Sequence, residues 1–173
     1  MHLNSQRGSI LIYSLLFLIF TITISLTMYS LAFMEYKMGL YEHRANQARE
    51  LAESAAWMAL EEINMILRDN YTYAEELPAT ITLGNNWSSV FDEDKIMETS
   101  TVICEEQNES SCTYCYSTSG NYLGAEKTLS VKVLLYFDEY YHLQLDTNGN
   151  LMAVFSYRDY LDRGRFISFN EVE

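Results

Sequence analysis

From Gly8 to Met34 the chain carries no charged side chain. The run is mostly Ile, Leu, Phe, Tyr and Thr, from Ser9-Ile10-Leu11-Ile12-Tyr13 through to Leu31-Ala32-Phe33-Met34. A helix needs about 20 apolar residues to cross a bilayer, and this run exceeds that. Ahead of it lie Met1 to Gly8, with Arg7 as the one firm cation, the sign expected of a cytoplasmic N-terminus. A removable secretory signal is the competing reading, because Ser30-Leu31-Ala32 fits a small-x-small cleavage site. Secretory apolar cores are about 7–15 residues long. The length therefore favours a retained membrane span over residues 9–34.

The periodicity continues past Met34. Apolar or small residues recur at Met38, Tyr41, Ala45, Ala48, Ala52, Ala55, Ala59, Ile63 and Ile66, in steps of three and four that mark one face of a helix. Charges such as Glu35, Lys37, Glu42, Arg44, Arg49 and Glu53 fill the other faces. No proline interrupts Ser9 to Asn70, and Gly39 is the one glycine there, a weak point at which two helices would separate. A single helix of about sixty residues would be roughly 90 Å long at ~1.5 Å per residue. Its first third would lie in lipid.

A short leader ending in Gln6-Arg7-Gly8, an unbroken apolar helix directly after the glycine and an amphipathic continuation resemble a type IV pilin precursor. Within that superfamily the chain most resembles the PilX-type minor pilins. Glu35-Tyr36-Lys37-Met38 falls where that family tends to carry an acidic-basic-Met cluster. Arg44 and Ala52-Glu53-Ser54-Ala55 fall where it tends to have an Arg and an Ala-Glu-Ala-Ala stretch. The likeness covers roughly residues 6–62. It implies a prepilin leader over 1–8, cleavage between Gly8 and Ser9, a membrane segment over 9–34, an amphipathic continuation over 35–70 and a head over 71–173.

The resemblance also implies partners: other pilins through the N-terminal helix, a prepilin peptidase, an inner-membrane assembly platform and the lipid bilayer. The implied location is a single-pass inner-membrane protein with an extracytoplasmic head, moving into a filament on assembly. Its N-terminus would be methylated after cleavage, and its role would lie in assembly or adhesion. Two positions depart from the family. Most pilins carry Glu at the fifth residue after the processing glycine, where this chain has Tyr13, and Phe is commonest where it has Ser9. Loss of that Glu resembles the K-type pseudopilins, which sit at filament tips.

After Asn70 the pattern turns to strands. Pro78 cannot sit inside a helix. Thr80–Leu83 reads as a short strand ended by Gly84-Asn85-Asn86, Thr99–Cys104 as a second, and Thr128–Phe137 as the clearest and most central. His142–Leu145 and Leu151–Phe155 flank Asp146-Thr147-Asn148-Gly149-Asn150, a hairpin signal through Asn-Gly. Arg165–Phe169 is a last short strand. The expectation is an α+β fold, a long N-terminal helix whose amphipathic half packs on an antiparallel β-sheet head. About a hundred residues are enough to bury a core in that way.

Charge narrows the function. The chain holds 11 Lys and Arg against 24 Asp and Glu, a net charge of −13, and 18 of the acidic residues lie from Asp69 onward against 6 basic ones. A phosphate-binding surface needs clustered cations, so direct nucleic-acid binding is not expected. An acidic head instead stays solvated and repels anionic surfaces.

Three cysteines, Cys104, Cys112 and Cys115, fall within twelve residues, and Cys112-Thr113-Tyr114-Cys115 has the C-x-x-C form. Zinc wants four ligands, and only His43 and His142 would add nitrogen. The pair reads as lying in a loop, unlike redox motifs that open a helix after a strand. Outside the membrane the expectation is one disulfide, Cys104 to Cys112 or to Cys115, and one free thiol. Asp146, Asn148 and Asn150 alternate as calcium ligands do. The loop of that kind, however, needs Gly and Glu where this chain has Leu151 and Tyr157. No phosphate loop, dinucleotide fingerprint or nucleophile elbow occurs, so neither a cofactor nor an enzymatic activity is expected. The leading expectation is a minor pilin of tip or initiator type. The alternatives are a membrane-anchored extracytoplasmic binding protein outside any filament, and a secreted protein with a long signal.

Overall fold

A computed structural model describes residues 3–84, 95–147 and 150–172. Helix α1 spans Leu3–Tyr71, with Gly39 inside it, and seven strands follow. They are β1 (Thr80–Ile81), β2 (Lys95–Thr99), β3 (Val102–Asn108), β4 (Ser111–Tyr122), β5 (Ala125–Leu145), β6 (Leu151–Tyr160) and β7 (Arg165–Val172). The layout is α+β. The chain divides into two compact units, Met1–His43 and Arg44–Glu173.

In the second unit, α1 lays one face on a curled antiparallel sheet. Ala48, Ala52, Ala55, Ala56, Ala59, Leu60, Ile63 and Leu67 are buried on that face. Alanine dominates because it costs no side-chain entropy in a helix and lets the backbone approach its neighbour. Opposite lie Tyr114, Tyr116, Leu129, Val131, Val133, Leu135, Phe137 and Tyr160. Every strand pair among the described residues is antiparallel, in the order β1-β3-β4-β5-β6, with β2 also on β4 and β7 also on β5.

The strand that organises the sheet, β4, carries no strand signal in the sequence. Ser111–Tyr122 pairs along its whole length with β5, from Ser111↔Tyr136 to Tyr122↔Ala125. Its other edge takes β3 opposite Ser111–Cys115 and β2 opposite Thr118–Tyr122. The C-x-x-C segment is therefore central strand and not loop. Likewise, Thr128–Phe137 and His142–Leu145 are parts of one 21-residue strand. That strand pairs first with β7, Thr128 to Leu134, and then with β6, Phe137 to Leu145. A register shift at Tyr140/Tyr141 replaces the expected break.

The expected hairpin closes through Asp146 and Asn150, whose backbones bond at 2.9 Å, while the Asp146 carboxylate accepts the Asn150 N–H at 2.8 Å. Asn148 and Gly149 themselves lie outside the described residues, as do Asn85 and Asn86. On the helix, Met38 and Tyr41 are exposed, so the buried face begins near Ala48.

Candidate functional surfaces: the apolar helix and the cysteine strands

In the first unit every large apolar side chain from Ile10 to Met34 is exposed, between 41 % and 73 %. This segment belongs to a helix long and apolar enough to cross a membrane. Five of its hydroxyls bond back to the helix. Ser14 donates to the Leu11 carbonyl at 2.9 Å, Thr23 to Ile19 at 2.7 Å, Ser25 to Thr21 at 2.9 Å and Thr27 to Thr23 at 2.5 Å. Thr21 divides its hydroxyl between Phe17 and Leu18, at 3.1 and 2.9 Å. A hydroxyl bonded back to its own helix leaves no unmet donor for hydrocarbon to penalise. Gly8 and Ser9, the expected processing site, fall within α1. Tyr13 is exposed.

In the second unit the helix is tied to β4 by a graded row of inward residues. Gly120 meets the helix backbone itself, since a β-carbon there would lie 2.1 Å from the Ala48 carbonyl oxygen. Two residues on, Thr118 reaches the Ala52 carbonyl with its hydroxyl at 2.9 Å. Tyr116 reaches the Ala56 carbonyl at 2.9 Å. Tyr114 donates at 3.3 Å to the Pro78 carbonyl, beyond the helix. The side chains lengthen from glycine to threonine to tyrosine, so helix and strand diverge along this row. Burial pushes the Tyr116 phenol upward, and burial does the same to Tyr114. Both stay protonated donors.

Arg158 is the feature that the sequence concealed. It is 1 % exposed, on β6 beneath the segment that follows α1. Its guanidinium donates to Glu139 at 2.5 Å, to the Ala74 carbonyl at 3.3 Å and to the Glu75 carbonyl at 3.2 Å. It also lies over the rings of Phe137 and Phe155, at 4.7 and 5.4 Å. Its backbone N–H bonds the Thr72 carbonyl at 2.7 Å. Burial raises the Glu139 carboxyl, but hydrogen bonds from Tyr141 and Arg158 outweigh it and hold the group below the ordinary carboxylate value.

The three cysteines divide between the two sheet faces. Cys112 is buried on the inner face beside half-buried Cys104, their sulfurs 2.9 Å apart. Three residues along a strand reverses the face, and Cys115 accordingly points outward. There its thiol donates to Glu105 at 2.9 Å, and Lys132 grips the same carboxylate at 2.8 and 2.6 Å. The C-x-x-C spacing thus brings no pair together. Among the described residues no group of three His, Cys, Asp or Glu is placed to hold a metal ion. Asp146 of the calcium-like run is engaged with Asn150 instead. No protein-family model, curated protein or solved structure matches this chain.

Proposed function

We propose that this chain is a minor pilin, a tip- or initiator-type subunit of a type IV pilus or a related secretion-type filament, serving assembly or adhesion. The observation that carries the reading is the charge-free run that begins directly behind Arg7-Gly8, its large apolar side chains unburied within the chain and the hydroxyls of Ser14, Thr21, Thr23, Ser25 and Thr27 bonded back to the helix. Such a surface suits lipid first and other apolar helices afterwards. The alanine face of α1 on an antiparallel sheet agrees with that layout. On this reading a prepilin peptidase cuts between Gly8 and Ser9, the acidic head is exported, and the helix joins those of other pilins.

N-terminal sequencing of the membrane-extracted protein tests it. A chain beginning at Ser9, methylated, supports the proposal, and Gly8→Leu should leave an unprocessed but membrane-inserted precursor. A chain that keeps Met1 would instead be a membrane-anchored extracytoplasmic protein outside any filament. One that begins at Phe33 would be a secreted protein.

A further inference from the structure

We propose that Cys104 and Cys112 are a dithiol site that takes up a disulfide by exchange with an external disulfide, Cys104 reacting first, while Cys115 remains a thiol. The placement comes from a bulge. In the β3–β4 ladder Cys104 stands opposite Tyr114, and Cys112 stands opposite Gln107; the register slips at Glu105. The slipped residue leaves Cys104 and Cys112 diagonal neighbours on the inner face, sulfur to sulfur at 2.9 Å. A bond between them closes a short loop across one strand turn. Ile103 is the residue opposite Cys115, and both belong to the outer face, so neither inner sulfur reaches Cys115 without reversing a strand.

Access sets the order. Cys112 is 1 % exposed, whereas Cys104 is only half-buried, at the margin of the core. Burial pushes the Cys112 thiol up, and the neighbouring Cys104 sulfur adds to the rise. The thiolate is the nucleophile, so the first attack belongs to Cys104. Its sulfur bonds one sulfur of the external disulfide and expels the other as a thiol. Cys112 then attacks the Cys104 sulfur of this mixed disulfide and expels the second thiol. Two protein thiols are oxidised, one external disulfide is reduced, and both protons end on the two released thiols. Cys115 takes no part. Burial and the hydrogen bond to the Glu105 carboxylate push its thiol up to about 11.

The test uses the full chain in detergent, reduced, freed of reductant and then given oxidised glutathione. Samples are quenched in acid, denatured and alkylated. Cleavage after Glu109 and after Tyr114 separates the three cysteines for mass analysis. The expected product links Cys104 to Cys112 and carries one alkyl group, on Cys115. Cys112→Ser should stall with glutathione on Cys104. Cys104→Ser should take glutathione onto Cys112 at least tenfold more slowly, and Cys115→Ser should link at the unchanged rate. A main product joining Cys115 to either partner, or three alkylated cysteines after prolonged exposure, would overturn the proposal. Equal rates at Cys104 and Cys112 in the two serine variants would overturn the order. The wild-type measurement alone decides the pairing, whichever membrane or filament role the chain has.

Discussion

Gly120 on β4 touches the backbone of α1 at Ala48, so closely that no side chain fits between them. A β-carbon on Gly120 would lie 2.1 Å from the Ala48 carbonyl oxygen, 2.6 Å from the Ala52 nitrogen and 2.8 Å from the Leu51 β-carbon. Two of those three atoms are helix backbone, which cannot swing aside. Gly120→Ala should therefore force the helix off the sheet and cost about 3 kcal/mol or more. In a chain of this size that lowers the melting temperature by roughly 6–12 °C. Gly39→Ala is the contrasting variant, since nothing lies within 4 Å of its β-carbon position. It should leave the melting temperature level or raise it, because alanine is the better helix former.

Arg158 predicts a larger loss with a pH signature. Arg158→Ala strands Glu139 and releases the carbonyls of Ala74 and Glu75, and breaking one side of a buried ion pair costs about 3–5 kcal/mol. Glu139 is held below the ordinary carboxylate value of 4.5. Its contribution is thus complete above that value and disappears as pH falls through the depressed one. Melting temperatures of the wild type should therefore drop on acidification below about pH 4.5 more steeply than those of Glu139→Gln, which should already be lower at pH 7. Parallel acid profiles for the two proteins would show that the pair does not couple folding to pH.

Tyr116 and Thr118 predict small, additive effects. Each donates a hydroxyl to a helix carbonyl, of Ala56 and Ala52 respectively, that α1 can also satisfy through its own N–H four residues on. Tyr116→Phe and Thr118→Val thus orphan no acceptor, and each should cost about 1 kcal/mol. Tyr116→Leu should cost more, through the cavity left by the ring. Urea unfolding of the three variants separates the hydroxyl from the packing.

How much of this was legible depended on how strongly each residue signals its surroundings. The charge-free run and the alanine steps declared α1, because helix burial repeats every three to four residues and nothing in the run contradicts it. Val131, Val133 and Leu135 declared β5 in the same way. β4 stayed hidden because its inward residues are Cys112, Tyr114, Tyr116, Thr118 and Gly120, and its outward ones are small and polar. Helix contact demands those small and hydroxylated residues, and they mimic a loop. Arg158 was invisible for the opposite reason, as a charge reads as solvent-facing until aromatic rings and carbonyls are seen around it. The cysteine spacing became informative only once β4 was known, since strand parity decides which sulfurs can meet.

Tyr13 carries the last prediction, which rests on the pilin reading proposed above. A shaft subunit of that family would place Glu at this position, to meet the N-terminal amine of its neighbour. In a low-dielectric helix bundle such a pair is strong only when both members are present. Tyr13 offers a hydroxyl and no charge, and it leaves a neighbour's amine without its carboxylate. A subunit at the tip lacks a neighbour on one side and escapes that requirement, while its apolar run still packs on helices below. Loss of this chain should accordingly reduce the number of filaments and leave their packing unchanged. Tyr13→Glu should admit the subunit to the shaft more often. Immunogold particles should cluster at filament ends in the wild type and spread inward in the variant. Even decoration of wild-type filaments along their length, at the density of the major subunit, would rule out the tip placement.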